Sequence, residues 1–258
     1  MTFGSLQTLR DKPIPNPRPK SGYRDVPIAF DGAANAEPLV EAATFGLAGQ
    51  NFYANPRNPP YYYRIPGSID AIVLREGAAR RLQGVNAQLA AADLELFIFD
   101  AWRPQAVQIY FHDQWLPAEL KRRNPALEGE ALLAEVETYW AAPSAGEDAP
   151  SPHSTGGAVD LTLRWRGGDP LWMGSLFDDA SAIAHTAHFE GAATDAAFSF
   201  SAEEARANRR LLYWLMRDAG FASNPTEWWH FSFGDQMWAQ LTGADAALYS
   251  GAEYNVSP

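Results

Sequence analysis

The sequence predicts an α+β fold in which helices flank a central, mostly antiparallel sheet. Segments with helical periodicity alternate irregularly with short, apolar, β-prone segments, and the links between them are short and hairpin-like. No internal repeat and no change in composition divides the 258 residues, a length that can fill one large hydrophobic core. We therefore expect a single domain over residues 1–258.

The composition excludes several classes of partner and of site. The chain carries 20 Lys and Arg against 31 Asp and Glu, which gives a net charge of −11. Such an acidic chain is a poor partner for nucleic acid or for an anionic membrane surface. It contains no cysteine, which excludes disulfides and thiolate ligands and leaves His, Asp and Glu as the strong metal ligands.

The N-terminal region, residues 1–27, is rich in proline, and we expect it to form an extended arm on the surface. Its beginning lacks the apolar core of a signal peptide, and no later run is long enough to span a membrane. We expect a cytoplasmic protein, or a periplasmic one if a leader has been removed.

The next part of the chain predicts a helix and a strand that lead to a candidate site residue. Apolar residues recur on one helical face between Arg75 and Ala91. The apolar, β-prone residues 94–99 predict a strand at the centre of the sheet. Pro104 suits the first turn of a following helix. Arg103 thus lies between a strand end and a helix start, where side chains commonly reach into a site.

The second half of the chain continues the alternation of elements. Residues 117–150 combine a helical stretch, Glu128–Trp140, with a loop rich in Pro, Ala, Ser and Gly, and we expect them to form an insertion on the surface. A strand follows at Ala158–Leu163. A capping box at Ser201–Glu204 then predicts the start of a helix that ends at Gly220.

Two segments carry the residue types of a catalytic metal site. A loop rich in Pro, Ser and Gly holds His153 and leads to Asp160, and the glycines between them allow both side chains to face one ion. Far along the chain, Glu227 lies three residues before His230 on the last predicted strand, Trp228–Phe233. Two imidazoles, a carboxylate and a further Glu can supply three zinc ligands and a general base beside an open position for water.

The spacing alone leaves this interpretation open. A lone histidine is more often a surface or hydrogen-bonded core residue than a ligand, and we keep that interpretation for His112. Residues three apart point in opposite directions on a regular strand, so Glu227 and His230 share a cavity only if the backbone turns or bulges between them. Asn224-Pro225 just upstream makes a turn plausible. On spacing, a metal site and a structural role are about equally supported.

Three motifs in order resemble those of a known enzyme family. The pattern S-x-H-x-x-G-x-A-x-D at residues 151–160, E-W-W-H at 227–230 and D-x-x-R-P at 100–104 resemble the zinc-dependent D-alanyl-D-alanine dipeptidases. That family shares its fold with hedgehog-type and DD-carboxypeptidase domains. The resemblance extends from about Asn51 to Trp238, and it departs from the family where Ala101-Trp102 replaces the usual Gly-Tyr.

The resemblance implies one Zn²⁺ per chain, a small dipeptide as substrate and a role for each motif residue. By that resemblance His153, Asp160 and His230 are the zinc ligands, and Glu227 is the general base and acid. Arg103 stabilises the oxyanion, and Asp178 and Ser151 contact the amino end of the dipeptide. Bound zinc lowers the pKa of its water to about 7, and a neighbouring carboxylate can take the proton. We therefore expect a zinc metallopeptidase that hydrolyses D-Ala-D-Ala or a related D,D-dipeptide.

Two other functions are compatible with the same residues. The first is a D,D- or L,D-carboxypeptidase or endopeptidase that acts on longer cell-wall peptides, which requires an open cleft. The second is a binding domain that has kept the metal and lost catalysis. The presence of both Glu227 and Arg103 argues against the second function.

Overall fold

The structure is a computed structural model that describes residues 3–194 and 199–254. Its strands, in chain order, are β1 (Leu39–Glu41), β2 (Ala48–Gly49), β3 (Val73–Arg75), β4 (Leu94–Asp100), β5 (Ala158–Trp165), β6 (Ala222–Ser223) and β7 (His230–Ser232). Its helices are α1 (Phe3–Asp11), α2 (Glu76–Leu89), α3 (Gln105–Tyr110), α4 (Leu116–Arg123), α5 (Gly129–Tyr139), α6 (Phe200–Asp218) and α7 (Gln236–Thr242). A π-helical turn, Phe111–Trp115, joins α3 to α4.

The larger sheet has five strands in the order β2-β4-β5-β7-β6. The β2–β4 pair is parallel, and the pairs β4–β5, β5–β7 and β6–β7 are antiparallel. The predicted α+β class with a mostly antiparallel sheet is therefore confirmed. The strand predicted for the centre is β4, which lies next to the central strand β5. A smaller antiparallel sheet pairs β1 with β3.

Helix α2 covers the core as its periodicity predicts. Ala78, Leu82, Val85 and Leu89 form its inner face, and all four are fully buried. On α6, Leu212 and Leu215 belong to the same hydrophobic core. Among the described residues, no helix combines the length and the apolar character that crossing a bilayer demands.

The start of α6 differs from the predicted capping box. The N-cap is Ser199, whose Oγ accepts a hydrogen bond from the backbone N–H of Ala202 at 3.2 Å. Ser201, the predicted cap, already lies within the helix. The capping-box pattern indicated Ser201 rather than Ser199, because only Ser201 is followed three residues later by a Glu. The predicted end is confirmed, since Gly220 follows the helix with φ of 94°.

The N-terminal arm is not wholly extended, which corrects the prediction for residues 1–27. Residues 3–11 form α1, which contacts α6 and buries Leu6 in the core. Leu6 and Leu9 lie three residues apart on one helical face, a short pattern that the prolines further along outweighed in the prediction. Residues 1 and 2 lie outside the described part of the chain.

The segment 117–150 contains the predicted helix, now α5, but its end is not on the surface. Trp140 is only 7% exposed, and the guanidinium of Arg103 lies 4.5 Å from the centre of its ring. The segment therefore provides a wall of the interior rather than a purely external insertion. The assignment of residues 1–258 to one domain stays a prediction, and its last residues, 255–258, lie outside the described chain.

Candidate metal centre and catalytic site

Three neighbouring strands place three ionisable side chains in one row. Asp100 on β4 lies opposite Asp160 on β5, and Asp160 lies opposite His230 on β7. The register shifts between Ile98 and Asp100, and this bulge puts Asp100 rather than Phe99 opposite Asp160. Directly opposed residues present their side chains on the same face of a sheet. Strand pairing thus brings together two predicted metal ligands that are far apart in the sequence.

His153 reaches the same place from the loop before β5. A short 3₁₀ turn, Pro152–Thr155, ends at Gly156, whose φ of 74° is a conformation that favours glycine. The loop therefore folds back as the sequence predicts. The His153 Nε2 atom lies 3.1 Å from His230 Nδ1 and 3.3 Å from Asp160 Oδ2.

The outward nitrogens of both imidazoles are engaged by hydrogen-bond partners. His153 Nδ1 lies 2.7 Å from the carbonyl oxygen of Ala101, which can only accept, so Nδ1 carries the ring proton. His230 Nε2 lies 3.2 Å from Ser232 Oγ, and Ser232 lies opposite Ala158 on β5. A hydroxyl oxygen can accept a hydrogen bond, so Ser232 Oγ is a suitable acceptor for a proton on His230 Nε2. These partners orient both rings and turn a lone pair of each inward.

The donor set fits a zinc ion. His153, Asp160 and His230 are buried, and one ligand atom from each lies within 4.8 Å of the others. Asp160 Oδ1 has no hydrogen-bond partner and lies 3.1 Å from His230 Nδ1. A buried carboxylate oxygen that faces two ring lone pairs is unfavourable without a positive charge among them. Two imidazole nitrogens and one carboxylate oxygen are ligands that Zn²⁺ accepts in catalytic sites.

The pKa values of these groups indicate the same need for a cation. Burial and the charge of Arg103 lower the pKa of His153. Burial also acts to lower the pKa of His230, but the adjacent carboxylate of Asp160, with the charge of Glu227, raises it above its ordinary value. Burial acts to raise the pKa of Asp160, yet the two histidines hold it well below its usual range. The raised pKa of His230 favours a positive charge in this cluster.

Glu227 lies beside this cluster and is not part of the three-residue group. The chain turns between Glu227 and His230, and the His230 N–H lies 3.2 Å from the Glu227 carbonyl oxygen that accepts it. Because the backbone turns here, the side chains of Glu227 and His230 can face the same cavity, as the sequence analysis required. Glu227 Oε2 lies 3.7 Å from His230 Nδ1. Burial raises the pKa of Glu227, while the charges of Lys20 and His230 act to lower it.

Arg103 is buried and contacts a predicted metal ligand. Its Nη2 donates to Asp160 Oδ2 at 3.0 Å, its Nε to Asp100 Oδ2 at 2.8 Å and its Nη1 to Gln108 Oε1 at 3.0 Å. Burial acts to lower the pKa of Arg103, but the neighbouring phenol and carboxylates raise it above its ordinary value. Arg103 therefore stays charged and holds Asp160 in its orientation.

The two predicted substrate contacts differ in position. Asp178 lines the site cavity, and its carboxylate accepts hydrogen bonds from the hydroxyls of Tyr53 at 3.2 Å and Tyr61 at 3.0 Å. Burial raises the pKa of Asp178 well above its usual range. Ser151 is buried next to the cavity wall without being part of it, and its N–H donates to Ser144 Oγ at 3.0 Å. The assignment of both to substrate binding stays a prediction.

These side chains enclose a cavity of about 30 Å³. It is lined by six of the predicted site residues and by nine others, which are Lys20, Gln108, Tyr139, Trp140, Ala141, Pro152, Asn224, Trp229 and Met237. Pro152 and Trp229 lie within the sequence motifs. Lys20 and Tyr139 come from segments in which the sequence shows no motif.

Comparison with known proteins decides the family. Residues 67–245, more than half of the chain, match the family Peptidase_M15, D-ala-D-ala dipeptidase. The chain belongs to this family. The resemblance inferred from the motifs is confirmed, and the chain is a hydrolase of the dipeptidase class.

Several relatives of this M15 chain carry the same description. It is 38% identical over 180 residues to the D-alanyl-D-alanine dipeptidase of Synechocystis sp., an alignment that covers 65% of this chain and 71% of the relative. It is 33% identical over 138 residues to that of Escherichia coli, which covers 54% of each chain. A crystal structure of the vancomycin resistance D,D-pentapeptidase VanY in complex with Zn(II) aligns with a TM-score of 0.34 and 18% identity, over 63% of this chain and 73% of that one.

The family match also separates the predicted site residues from those that sequence reasoning missed. All seven predicted site residues of this M15 peptidase lie within residues 67–245. Tyr53 and Tyr61, which contact Asp178, and Lys20, which lines the cavity, lie before that stretch. Three consecutive tyrosines at 61–63 are a weak signal, since aromatic residues are suited to packing as well as to lining a cleft.

Proposed function

We propose that this protein is a zinc-dependent dipeptidase that hydrolyses D-Ala-D-Ala or a closely related D,D-dipeptide. The observation that carries the proposal is the buried group of His153, Asp160 and His230 with Glu227 beside it in one small cavity. The three grouped residues would hold the ion. Bound Zn²⁺ would polarise the scissile carbonyl and lower the pKa of a bound water to about 7.

Glu227 is proposed as the general base and then the general acid. Its carboxylate takes a proton from the attacking water and returns it to the nitrogen of the leaving D-Ala. Burial raises the pKa of Glu227, and a carboxylate whose pKa is closer to neutral is the better proton acceptor at physiological pH. Its buried position excludes bulk water from this transfer.

Arg103 is proposed to act on the same carbonyl and on Asp160. Its fixed charge lines the cavity where the carbonyl oxygen becomes negative, and such a preorganised charge is most effective where water is excluded. Its hydrogen bond to Asp160 keeps that carboxylate oriented towards the two imidazoles.

Asp178 is proposed to bind the free ammonium of the substrate. Burial raises the pKa of its carboxyl, so an ammonium group brought beside it restores a favourable partner for the ionised form. The cavity, about 30 Å³, has room for only one or two water molecules, so its walls must move even for a dipeptide. A carboxylate that binds the free amino end favours a dipeptidase over the alternative that cleaves longer cell-wall peptides.

The test compares kcat/KM for D-Ala-D-Ala, N-acetyl-D-Ala-D-Ala and a longer peptide that ends in D-Ala-D-Ala, with L-Ala-L-Ala as the control. We expect turnover of the free D,D-dipeptide, and values at least about 100-fold lower for the acylated and longer substrates, because they leave Asp178 without its cationic partner. Asp178→Asn should narrow this gap by losing activity on the free dipeptide. Equal turnover of the acylated substrate would reject the dipeptidase assignment in favour of a carboxypeptidase.

A further inference from the structure

A lysine of the N-terminal arm lines the catalytic cavity. Lys20 precedes the family-matched residues 67–245, yet it lines the same cavity as Glu227. It also lines a neighbouring cavity of about 520 Å³, and Ala141 is the other residue common to both. Lys20 therefore lies where the small inner cavity meets a larger outer one.

The ammonium of Lys20 has neutral partners. Its Nζ donates to the carbonyl oxygen of Thr138 at 2.7 Å and to Thr226 Oγ1 at 2.9 Å. Among the ion pairs between described residues, none includes Lys20, whereas Arg103 is paired with both Asp100 and Asp160. An ammonium group has three N–H donors, so one donor of Nζ is left for a further acceptor.

A partly buried ammonium whose hydrogen-bond partners are both neutral is less favourable than one that is also hydrogen-bonded to an anion. Burial lowers the pKa of Lys20, and the charge of Glu227 acts in the opposite direction. A second anion beside Nζ would favour the charged form further and would use its remaining donor. Lys20 thus has both the charge and the free donor that a carboxylate ligand requires.

Lys20 and Asp178 both line the inner cavity, and each also lines a different neighbouring cavity. Asp178 also lines a small cavity with Tyr61 and Trp115, and Lys20 lines the outer cavity described above. These two flanking cavities have no lining residue in common. The inner cavity, which Glu227 also lines, thus presents an acidic and a basic side chain, the two kinds of group that the ends of a free dipeptide require.

We propose that Lys20 binds the C-terminal carboxylate of the substrate and so makes the enzyme selective for a free carboxyl end. The inference rests on the proposed function and adds to it a residue from outside the family-matched stretch. Asp178 then selects a free amino end and Lys20 a free carboxyl end. Together the two charges restrict the substrate to a dipeptide from both directions.

The test compares D-Ala-D-Ala with its C-terminal amide, D-Ala-D-alaninamide, in the wild type and in Lys20→Met. Loss of a charge-assisted hydrogen bond should raise KM for the free acid by about ten- to a hundredfold and leave KM for the amide unchanged. Lys20→Arg should keep most of the preference for the acid. The matched control is Lys12→Met, because Lys12 lies in the same arm with its Nζ over the ring of Trp214 and does not line the cavity.

Two outcomes would overturn the proposal: a Lys20→Met enzyme that keeps the wild-type preference for the acid, or one that loses activity equally on acid and amide. Zinc content and Tm of each variant exclude a folding defect.

Binding of a phosphinate dipeptide analogue with a carboxylate or a carboxamide end, followed through the fluorescence of Trp140 and Trp229, separates this result from the proposed function. If the wild type turns over neither substrate, the dipeptidase assignment fails. The Lys20 proposal still fails on its own if the analogues bind with a preference that Lys20→Met does not change.

Discussion

At the scale of single residues, two hydrogen bonds decide which nitrogens face the metal site. The carbonyl oxygen of Ala101 accepts a hydrogen bond from His153 Nδ1, and the hydroxyl oxygen of Ser232 accepts one from His230 Nε2. The inward atoms, His153 Nε2 and His230 Nδ1, lie 3.1 Å apart, which is too close for two lone pairs with no cation or proton between them. At the proposed site a proton and a zinc ion would therefore compete for the same position.

This competition predicts that zinc affinity falls as the pH falls. Burial acts to lower the pKa of His230, but Asp160 raises it above its ordinary value of about 6.5. Below that raised pKa zinc must displace a proton, so its apparent affinity should fall about tenfold per pH unit for each proton displaced. Above the raised pKa of His230, the apparent zinc affinity should not change with pH.

A competition titration against a chelating dye, between about pH 5.5 and about pH 8.5, measures this dependence. Replacement of His112, which lies outside the metal group, provides the control because His112→Gln should leave the profile unchanged. A zinc affinity that stays constant across the range would contradict the competition.

At the scale of elements, Arg103 ties the start of α3 to two strands of the sheet. It follows β4 directly, and its side chain returns to Asp100 on β4 and reaches Asp160 on β5. Both carboxylates are nearly inaccessible to water, so their charges depend on this guanidinium. The bulge at Phe99 makes the arrangement possible because it places the two carboxylates on the same face.

We expect Arg103→Met to destabilise the fold as well as the reaction. Removal of one partner from a buried ion-pair network leaves uncompensated charge, which should lower the free energy of unfolding by about 3–5 kcal/mol. Removal of a preorganised positive charge from the site should lower kcat by about 10²–10³-fold. Arg103→Lys should destabilise the fold less, since it keeps the charge and loses only the planar fork.

Urea denaturation of the metal-free protein measures the first effect. The control is Arg64→Met, which removes the exposed ion pair of Arg64 with Asp70 and should change stability little. An Arg103→Met protein as stable as the control would show that the buried network does not depend on this cation.

At the scale of the whole molecule, the elements and the motif residues were predictable and many packing partners were not. The face of α2 and the strand β4 follow from local periodicity, and His153, Asp160 and His230 follow from motifs whose chemistry is specific. Lys20 was not predictable, because it belongs to a proline-rich arm and nothing local to it indicates which surface the arm crosses.

The same reason applies to the two tyrosines that contact Asp178. The hydroxyls of Tyr53 and Tyr61 meet its carboxylate only because α3 and the following π-helical turn pack the aromatic rings together around Phe111. Such contacts depend on tertiary packing between segments that are distant in the sequence. The predicted N-cap Ser201 was wrong for a local reason, since two serines two residues apart can each begin the helix.

The proposed reaction requires three residues that hold zinc and one, Glu227, that acts as the base without binding the metal. The decisive measurement is kcat for D-Ala-D-Ala hydrolysis by Glu227→Gln at a zinc content matched to the wild type, with Glu137→Gln, a change at a half-exposed carboxylate outside the inner cavity, as the control. We predict that Glu227→Gln keeps one zinc per chain and loses at least about 100-fold in kcat, the usual contribution of a positioned acid or base. Turnover close to the wild-type value with zinc bound would contradict the account.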